Sequence, residues 1–237
     1  MERVNRGLLV SGLAENMLED LNLGVGGEES LMSLREMAKI WECSDVESNT
    51  VRAAGLEAAA IDDDGTTFSV AKFLKKCAEC ILVGSELKET ITKNVNENEN
   101  EIVERLNQAA TAEAESLARF AIRAISNDIY EGNYGSINEN ELAQLLMKGS
   151  ASCFLTKGEA FLITSNFMNN DKNKLNENLV YDLLVGSWGE QLRRSSAWLW
   201  VSSGKPKVSE WRNIPEPFFL TYTNVIFSGT PTSAPQI

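Results

Sequence analysis

The chain has 237 residues, 43% of them hydrophobic, and its 22 basic and 34 acidic side chains give a formal net charge of −12. This length and apolar content predict a globular protein of one large domain or two small ones. Histidine is absent, which excludes Ser-His-Asp and Cys-His catalytic sets and every zinc or haem site that uses an imidazole.

The N-terminal segment, residues 1–27, lacks the features of a secretory signal. Glu15, Glu19 and Asp20 interrupt its apolar residues, and no stretch of the chain approaches the ~20 apolar residues of a membrane span. Four cysteines without an Asn-x-Ser/Thr acceptor are more typical of a reducing compartment than of a disulfide scaffold. We therefore expect an intracellular, cytoplasmic protein with no membrane span.

A helical core domain is predicted over residues 28–212, as part of a mainly α fold. Its first two helices cover residues 29–43, with Ser30 as the N-cap, and residues 69–83, which Gly84 is expected to end. A further short helix is predicted in SELKETITKNV, directly after that glycine. In all three, apolar residues recur at a spacing of three or four.

The strongest helical pattern covers residues 99–132. About 33 residues at ~1.5 Å each make a rod of roughly 50 Å, which predicts the long central helix of a multi-helix bundle. Phe120 belongs to its predicted apolar stripe, and Gly132 suits a left-handed helix end. Residues 138–149 predict a shorter helix that begins with a capping box at Asn138.

Two further segments complete the core domain. Residues 158–168 fit a short helix or a buried strand equally well. Residues 175–201 are apolar enough for an interior helix, and a break between Gly186 and Gly189 is left open.

The last segment, residues 213–237, predicts an extended, proline-containing C-terminal arm. It holds four of the five prolines and, after Glu216, no charged side chain. Pro215 and Pro217 exclude a regular helix, and the rest is aromatic and β-branched. Its apolar side chains need cover from their own domain or from a neighbouring subunit. This predicted self-assembly arm comprises Phe218, Phe219, Leu220, Tyr222, Val225, Ile226 and Phe227.

One acidic motif has a possible catalytic interpretation. Asp62-x-Asp64-Gly65-Thr66 is similar to the first motif of haloacid-dehalogenase-type phosphatases. That resemblance implies Asp62 as nucleophile and Asp64 as general acid beside Mg²⁺. The other interpretation is an acidic turn between helices, with Ser69 capping the next one.

Cysteine and glycine motifs each have a structural interpretation. Cys77-x-x-Cys80 lies inside a predicted helix, where two core thiols are the favoured interpretation; a four-cysteine site with Cys43 and Cys153 stays open. The glycines of residues 21–30 lack the Lys-Ser/Thr of a phosphate loop and predict a hinge.

Basic and aromatic side chains concentrate near the carboxyl end of the core domain. Residues 188–212 contain five cations, two carboxylates and four of the five tryptophans. Cations beside flat rings suit single-stranded nucleic acid, although the tryptophans also fit a core with solvated cations around it. The predicted groove comprises Arg193, Arg194, Trp198, Trp200, Lys205, Lys207 and Arg212, extended by Arg119 and Arg123 on the long helix.

These patterns together favour a structural function. We expect a non-enzymatic coat or nucleocapsid-like subunit that associates with itself and binds single-stranded RNA, without catalytic residues, cofactor or metal. Such a protein would be found in a virion as well as in the cytoplasm. The alternatives are a soluble acidic helical adaptor that binds a basic partner without nucleic acid and, more remotely, the Mg²⁺-dependent phosphatase.

Overall fold

The structure is a computed structural model that describes residues 2–20, 30–43, 46, 48–62, 67–132, 136–168 and 175–205. Eight α-helices make up most of these residues. Two short strands pair antiparallel beside them. The described residues confirm a mainly helical protein, and the predicted C-terminal arm lies outside them. The elements are α1 (Glu2–Asp20), β1 (Leu31–Met32), α2 (Leu34–Cys43), α3 (Asn49–Ala59), β2 (Phe68–Ser69), α4 (Val70–Asn94), α5 (Asn100–Glu131), α6 (Glu139–Lys148), α7 (Lys157–Met168) and α8 (Glu177–Ser202).

One hydrophobic core joins helices α2 to α8. Within it, the rings of Phe68 and Phe161 meet edge to face with their centroids 5.1 Å apart. Helix α1, which the apolar pattern did not predict, packs on α4, and its Arg6 forms an ion pair with Glu86 at 3.4 Å. Among the helices that the structure describes, none is long and apolar enough to cross a membrane.

Helix α2 begins later than its apolar pattern predicts. Leu31 and Met32 form β1, so the predicted cap Ser30 precedes a strand rather than a helix. Ser33 caps α2 instead: its backbone N–H donates to Glu36 Oε2 at 2.9 Å, and the Glu36 N–H donates back to Ser33 Oγ at 3.3 Å. This capping box fixes the start of α2 at Leu34, because the preceding residues Leu31 and Met32 pair as a strand.

Helix α4 is continuous over Val70–Asn94, where the sequence predicts two helices divided at Gly84. Ser69 caps its start as expected, since its side chain accepts a hydrogen bond from a first-turn backbone N–H. A Cβ at Gly84 would lie 2.7 Å from Nη1 of Arg194. The glycine therefore makes room for a side chain of α8 and does not end the helix.

Helices α5 and α8 run antiparallel along most of their lengths. Glu177 accepts from Ser126 Oγ at 2.6 Å near one end, and Lys205 Nζ lies 2.7 Å from Glu99 Oε2 at the other. Helix α8 is unbroken, and 12 of its 26 residues are buried, compared with five of the 32 in α5. The interior helix predicted over residues 175–201 is therefore confirmed as α8, and α5 is the long helix beside it. Helix α5 contributes a narrow stripe of four alanines and an isoleucine, so it packs by one face only.

The ends of the remaining helices match their sequence signals in most respects. Helix α6 has the predicted Asn138 capping box, and residues 158–168 fall within α7, which resolves their ambiguity in favour of a helix. Helix α5 ends before Gly132 as expected. The predicted left-handed conformation of Gly132 is wrong, because this residue has a φ of −71°. Its N–H bonds to the Asp128 carbonyl oxygen in ordinary helical geometry.

Candidate nucleic-acid interface

The two adjacent arginines of the predicted groove contact different neighbouring helices. Arg193 Nη1 donates to Thr111 Oγ1 of α5 at 3.2 Å. Arg194, the next residue, forms an ion pair with Glu190 and lies over Gly84 of α4. Because successive helical residues point about 100° apart, the two guanidinium groups face different sides of α8. The structure therefore does not bring them into one groove.

The carboxyl end of α8 contacts the start of α5. Lys205 Nζ lies 2.7 Å from Glu99 Oε2 and 5.9 Å from the centroid of the Trp200 ring. The hydrogen bond from Lys205 lowers the pKa of Glu99. Lys207 and Arg212, the last two predicted cations, lie outside the described residues.

The tryptophans of α8 differ in their exposure. Trp200 is 1% exposed, and Trp188 is buried with its Nε1–H donating to Glu159 at 2.6 Å. Trp198 is partly exposed. Trp200 and Trp188 thus contribute to the interior and offer no open ring face for a base.

The outward side of α5 combines exposed cations with exposed aromatic rings. Phe120 is 58% exposed and Tyr130 is 84% exposed, and both lie on the side of the helix opposite its buried alanines. Arg119 and Arg123, the predicted extension of the groove, lie among them and are exposed. We call this surface the α5 face; its members are the six exposed residues of 116–130, namely Ser116, Arg119, Phe120, Arg123, Asn127 and Tyr130.

Carboxylates lie around the α5 face but are not among its members. Glu115 is partly buried and its Oε2 lies 3.9 Å from Arg119 Nη2. Asp128 is directed to the other flank of the helix, where it accepts from Ser150 Oγ and from the Ala151 N–H at 3.2 Å. The members of the α5 face thus include two cations and no carboxylate, while the exposed Glu113 and Glu131 border it on the same side of the helix.

Tyr181 of α8 holds one of the two guanidinium groups. The Arg119 Cζ lies 5.9 Å from the centroid of the Tyr181 ring, within cation–π range. A hydrogen bond with Tyr181 also raises the pKa of Arg119. Arg119 therefore keeps its charge and has a defined position beside the ring of Tyr181.

Sequence reasoning placed Phe120 in the buried stripe of α5, and this was wrong. The buried residues follow the series Ala110, Ala114, Ala118, Ala121 and Ile125. Phe120 precedes Ala121 by one residue and so points about 100° away from that stripe. The alanine series was the signal that would have separated Phe120 from the core.

The other sequence motifs do not assemble into a reactive site in the described residues. Asp62 Oδ1 accepts from the Thr67 N–H at 3.4 Å, while Asp64 lies outside the described part of the chain. Cys77 is buried and Cys80 is partly buried, and this burial raises the pKa of both thiols. Among the residues described, no group of three or more Cys, Asp or Glu side chains is placed to hold a metal ion.

No protein-family model, curated protein or solved structure matches this chain.

Proposed function

We propose that this protein is a non-enzymatic assembly subunit, of the coat or nucleocapsid kind, that holds single-stranded RNA against the α5 face. The observation that carries the proposal is the grouping of Arg119, Phe120, Arg123 and Tyr130 on one exposed side of a helix. Guanidinium groups neutralise phosphates, and each base stacked on an aromatic ring gains ~1–3 kcal/mol. RNA bound in this way would be held with little preference for sequence.

The acidity of the whole chain is compatible with this site. Binding of a polyanion depends on the local potential at the contact, and Arg119 and Arg123 are the charged members of the α5 face, with Glu113 and Glu131 at its borders. From Ser116 to Tyr130 the helix rises about 21 Å, enough to contact several nucleotides. The net charge of −12 keeps free subunits apart in solution.

Self-association is supported by apolar side chains that the described residues leave uncovered. Leu8 and Leu9 of α1 are both more than half exposed, although α1 packs on α4 through its other side. The sequence adds the predicted arm of residues 213–237, which carries no charged side chain after Glu216. Exposed apolar surface of this kind is a common feature of subunits that assemble.

The RNA contact is tested by removing the two cations of the α5 face. The double variant Arg119→Ala/Arg123→Ala should weaken binding to a labelled oligouridine, measured by fluorescence anisotropy. The slope of log affinity against log salt should fall in magnitude by about 1.4, because two phosphate contacts are lost. The matched control is Arg35→Ala/Lys93→Ala, which removes the same charge from exposed ion pairs elsewhere. Equal weakening by both double variants would contradict a specific role for this face.

The aromatic part of the contact is tested by truncating rings on the α5 face and, as a control, one exposed ring outside it. Phe120→Ala and Tyr130→Ala should each lower RNA affinity by ~1 kcal/mol or more, with the salt slope unchanged, because stacking does not release counterions. Phe154→Ala, which truncates an exposed ring outside the face, should leave affinity unchanged.

The assembly part is tested by light scattering and electron microscopy of the purified chain, with and without RNA. Rings, rods or filaments are the expected result. A monodisperse monomer that does not bind RNA at low salt would contradict the proposal. It would favour the alternative function, a soluble helical adaptor.

A further inference from the structure

A cavity of about 310 Å³ lies between α3, α4 and α8, away from the α5 face. Its apolar side is formed by Val46, Val51 and Ile81, and its polar side by Ser48, Ser85, Lys88 and Arg194, with Gly84 between them. Two cations therefore line the rim of an apolar space. A volume near 300 Å³ is at the small end of the range for sites that bind organic molecules.

Arg194 is held in place at this rim by contacts with two helices. Its Nη2 pairs with Glu190 of the same helix, and Glu190 in turn accepts from Ser48 Oγ at the N-cap of α3. Its Nη1 lies over Gly84, where the absence of a side chain leaves room for the guanidinium group. A guanidinium group has five N–H donors, so the pairing with Glu190 leaves donors for a second acceptor.

Lys88 adds a second positive charge one helical turn beyond Gly84 on α4. Among the described residues that line the cavity, Lys88 and Arg194 are the charged ones, and Glu190 pairs with the guanidinium group of Arg194. Ser48 lies at the N-terminal end of α3, where the helix dipole also favours negative charge. The polar rim thus favours an anionic group, while the valine and isoleucine walls favour a compact aliphatic one.

We propose that this cavity binds a small organic anion: a carboxylate or phosphate carried on a short branched aliphatic group. The anionic group would contact Arg194 and Lys88, and the aliphatic group would contact Val46, Val51 and Ile81. This site is separate from the RNA contact, so either one can fail without the other.

The test uses three probes of one shape: 4-methylpentanoate, 3-methylbutyl phosphate and the neutral 4-methylpentanamide. Each is titrated into the full chain while backbone amide resonances of Ser48, Gly84 and Ser85 are followed by NMR. The two anions should shift these resonances saturably, and the amide should bind about fivefold or more weakly because it lacks the charge. Which anion binds more tightly distinguishes a carboxylate from a phosphate ligand. Equal binding of acid and amide, or no saturable shift, would overturn the proposal.

Adjacent arginines provide the matched variants. Arg194→Met should weaken anion binding about fivefold or more, whereas Arg193→Met, whose side chain faces α5, should not. Lys88→Met, on an exposed position, should weaken it without affecting the fold. Gly84→Ala gives a further variant, because the new Cβ would displace the guanidinium group while keeping the helix. Unchanged affinity in both Arg194→Met and Gly84→Ala would overturn the proposal.

Discussion

Glu159 is a carboxylic acid in the interior, at the junction of α7 and α8. Its Oε1 accepts from Ser187 Oγ at 3.1 Å and from Trp188 Nε1 at 2.6 Å, and its Oε2 accepts from the Thr156 N–H at 3.0 Å. It therefore caps its own helix and fixes the position of a tryptophan in the next. Burial raises the pKa of Glu159 despite these three donors.

This raised pKa gives stability a defined dependence on pH. A carboxyl group whose pKa is higher in the folded than in the unfolded chain favours folding most while it is protonated, below the unfolded value of 4.5. As the pH rises beyond that value, wild-type stability should fall relative to Glu159→Gln, which cannot ionise. Urea unfolding of both proteins from acid to neutral pH measures this difference. A difference that stays constant with pH, or a wild-type chain that gains relative stability, would contradict it.

Helix α3 crosses its neighbours at two glycines whose lack of a side chain permits close approach. A Cβ at Gly158, in the first turn of α7, would lie 1.9 Å from the carbonyl oxygen of Ala53. A Cβ at Gly55 of α3 would lie 2.7 Å from Cys77 Sγ and 2.8 Å from the Phe73 ring. These distances are shorter than van der Waals contact, so both crossings require glycine.

Three glycines in helices should therefore respond differently to alanine. Gly158→Ala should lower the free energy of unfolding by about 3 kcal/mol or more, since a backbone oxygen cannot move aside. Gly55→Ala should also be destabilising, because its obstacles are buried side chains. Gly84→Ala should raise the free energy of unfolding by about 0.5–1 kcal/mol, because its obstacle is the flexible end of Arg194 and alanine favours a helix. Chemical denaturation of the three variants measures this order, and a strongly destabilised Gly84→Ala would contradict it.

At the scale of the whole molecule, the net charge of −12 opposes contact between copies, while the function proposed for the α5 face is to attract a polyanion. Salt screens both interactions, since the Debye length falls to ~8 Å at physiological ionic strength. Screening weakens a repulsion between subunits and also weakens an attraction for RNA. The two activities proposed for this protein should therefore depend on salt with opposite signs.

Sedimentation velocity without RNA should show more association as salt rises from about 50 to about 300 mM, because repulsion between the acidic subunits is screened. Over the same range the affinity for oligouridine should fall. Arg119→Ala/Arg123→Ala should keep the first dependence and lose most of the second. Association that decreases with salt would show that ion pairs, and not apolar surface, join the copies.

Predictions from sequence were most accurate where the signal is local. The Asn138 capping box, the Ser69 cap and the end of α5 before Gly132 depend on residues three or four positions apart. Predictions at glycines were less accurate. At Gly84 the predicted helix end was wrong: the helix continues, and Arg194, 110 positions further along the chain, occupies the space that a side chain there would fill.

The sequence by itself determined that this protein is mainly helical, where most of its helices lie and that histidine chemistry is excluded, because periodicity, capping and composition are properties of neighbouring residues. Tertiary structure decided that α8 continues through Gly186 and Gly189, that Phe120 faces outward on the same side of α5 as Arg119 and Arg123, and that Arg194 borders a cavity. Burial and ion pairing join distant residues, as Glu99 and Lys205 do across 106 positions. A pattern of apolar and charged residues along the chain does not contain those contacts, because they depend on how the helices pack.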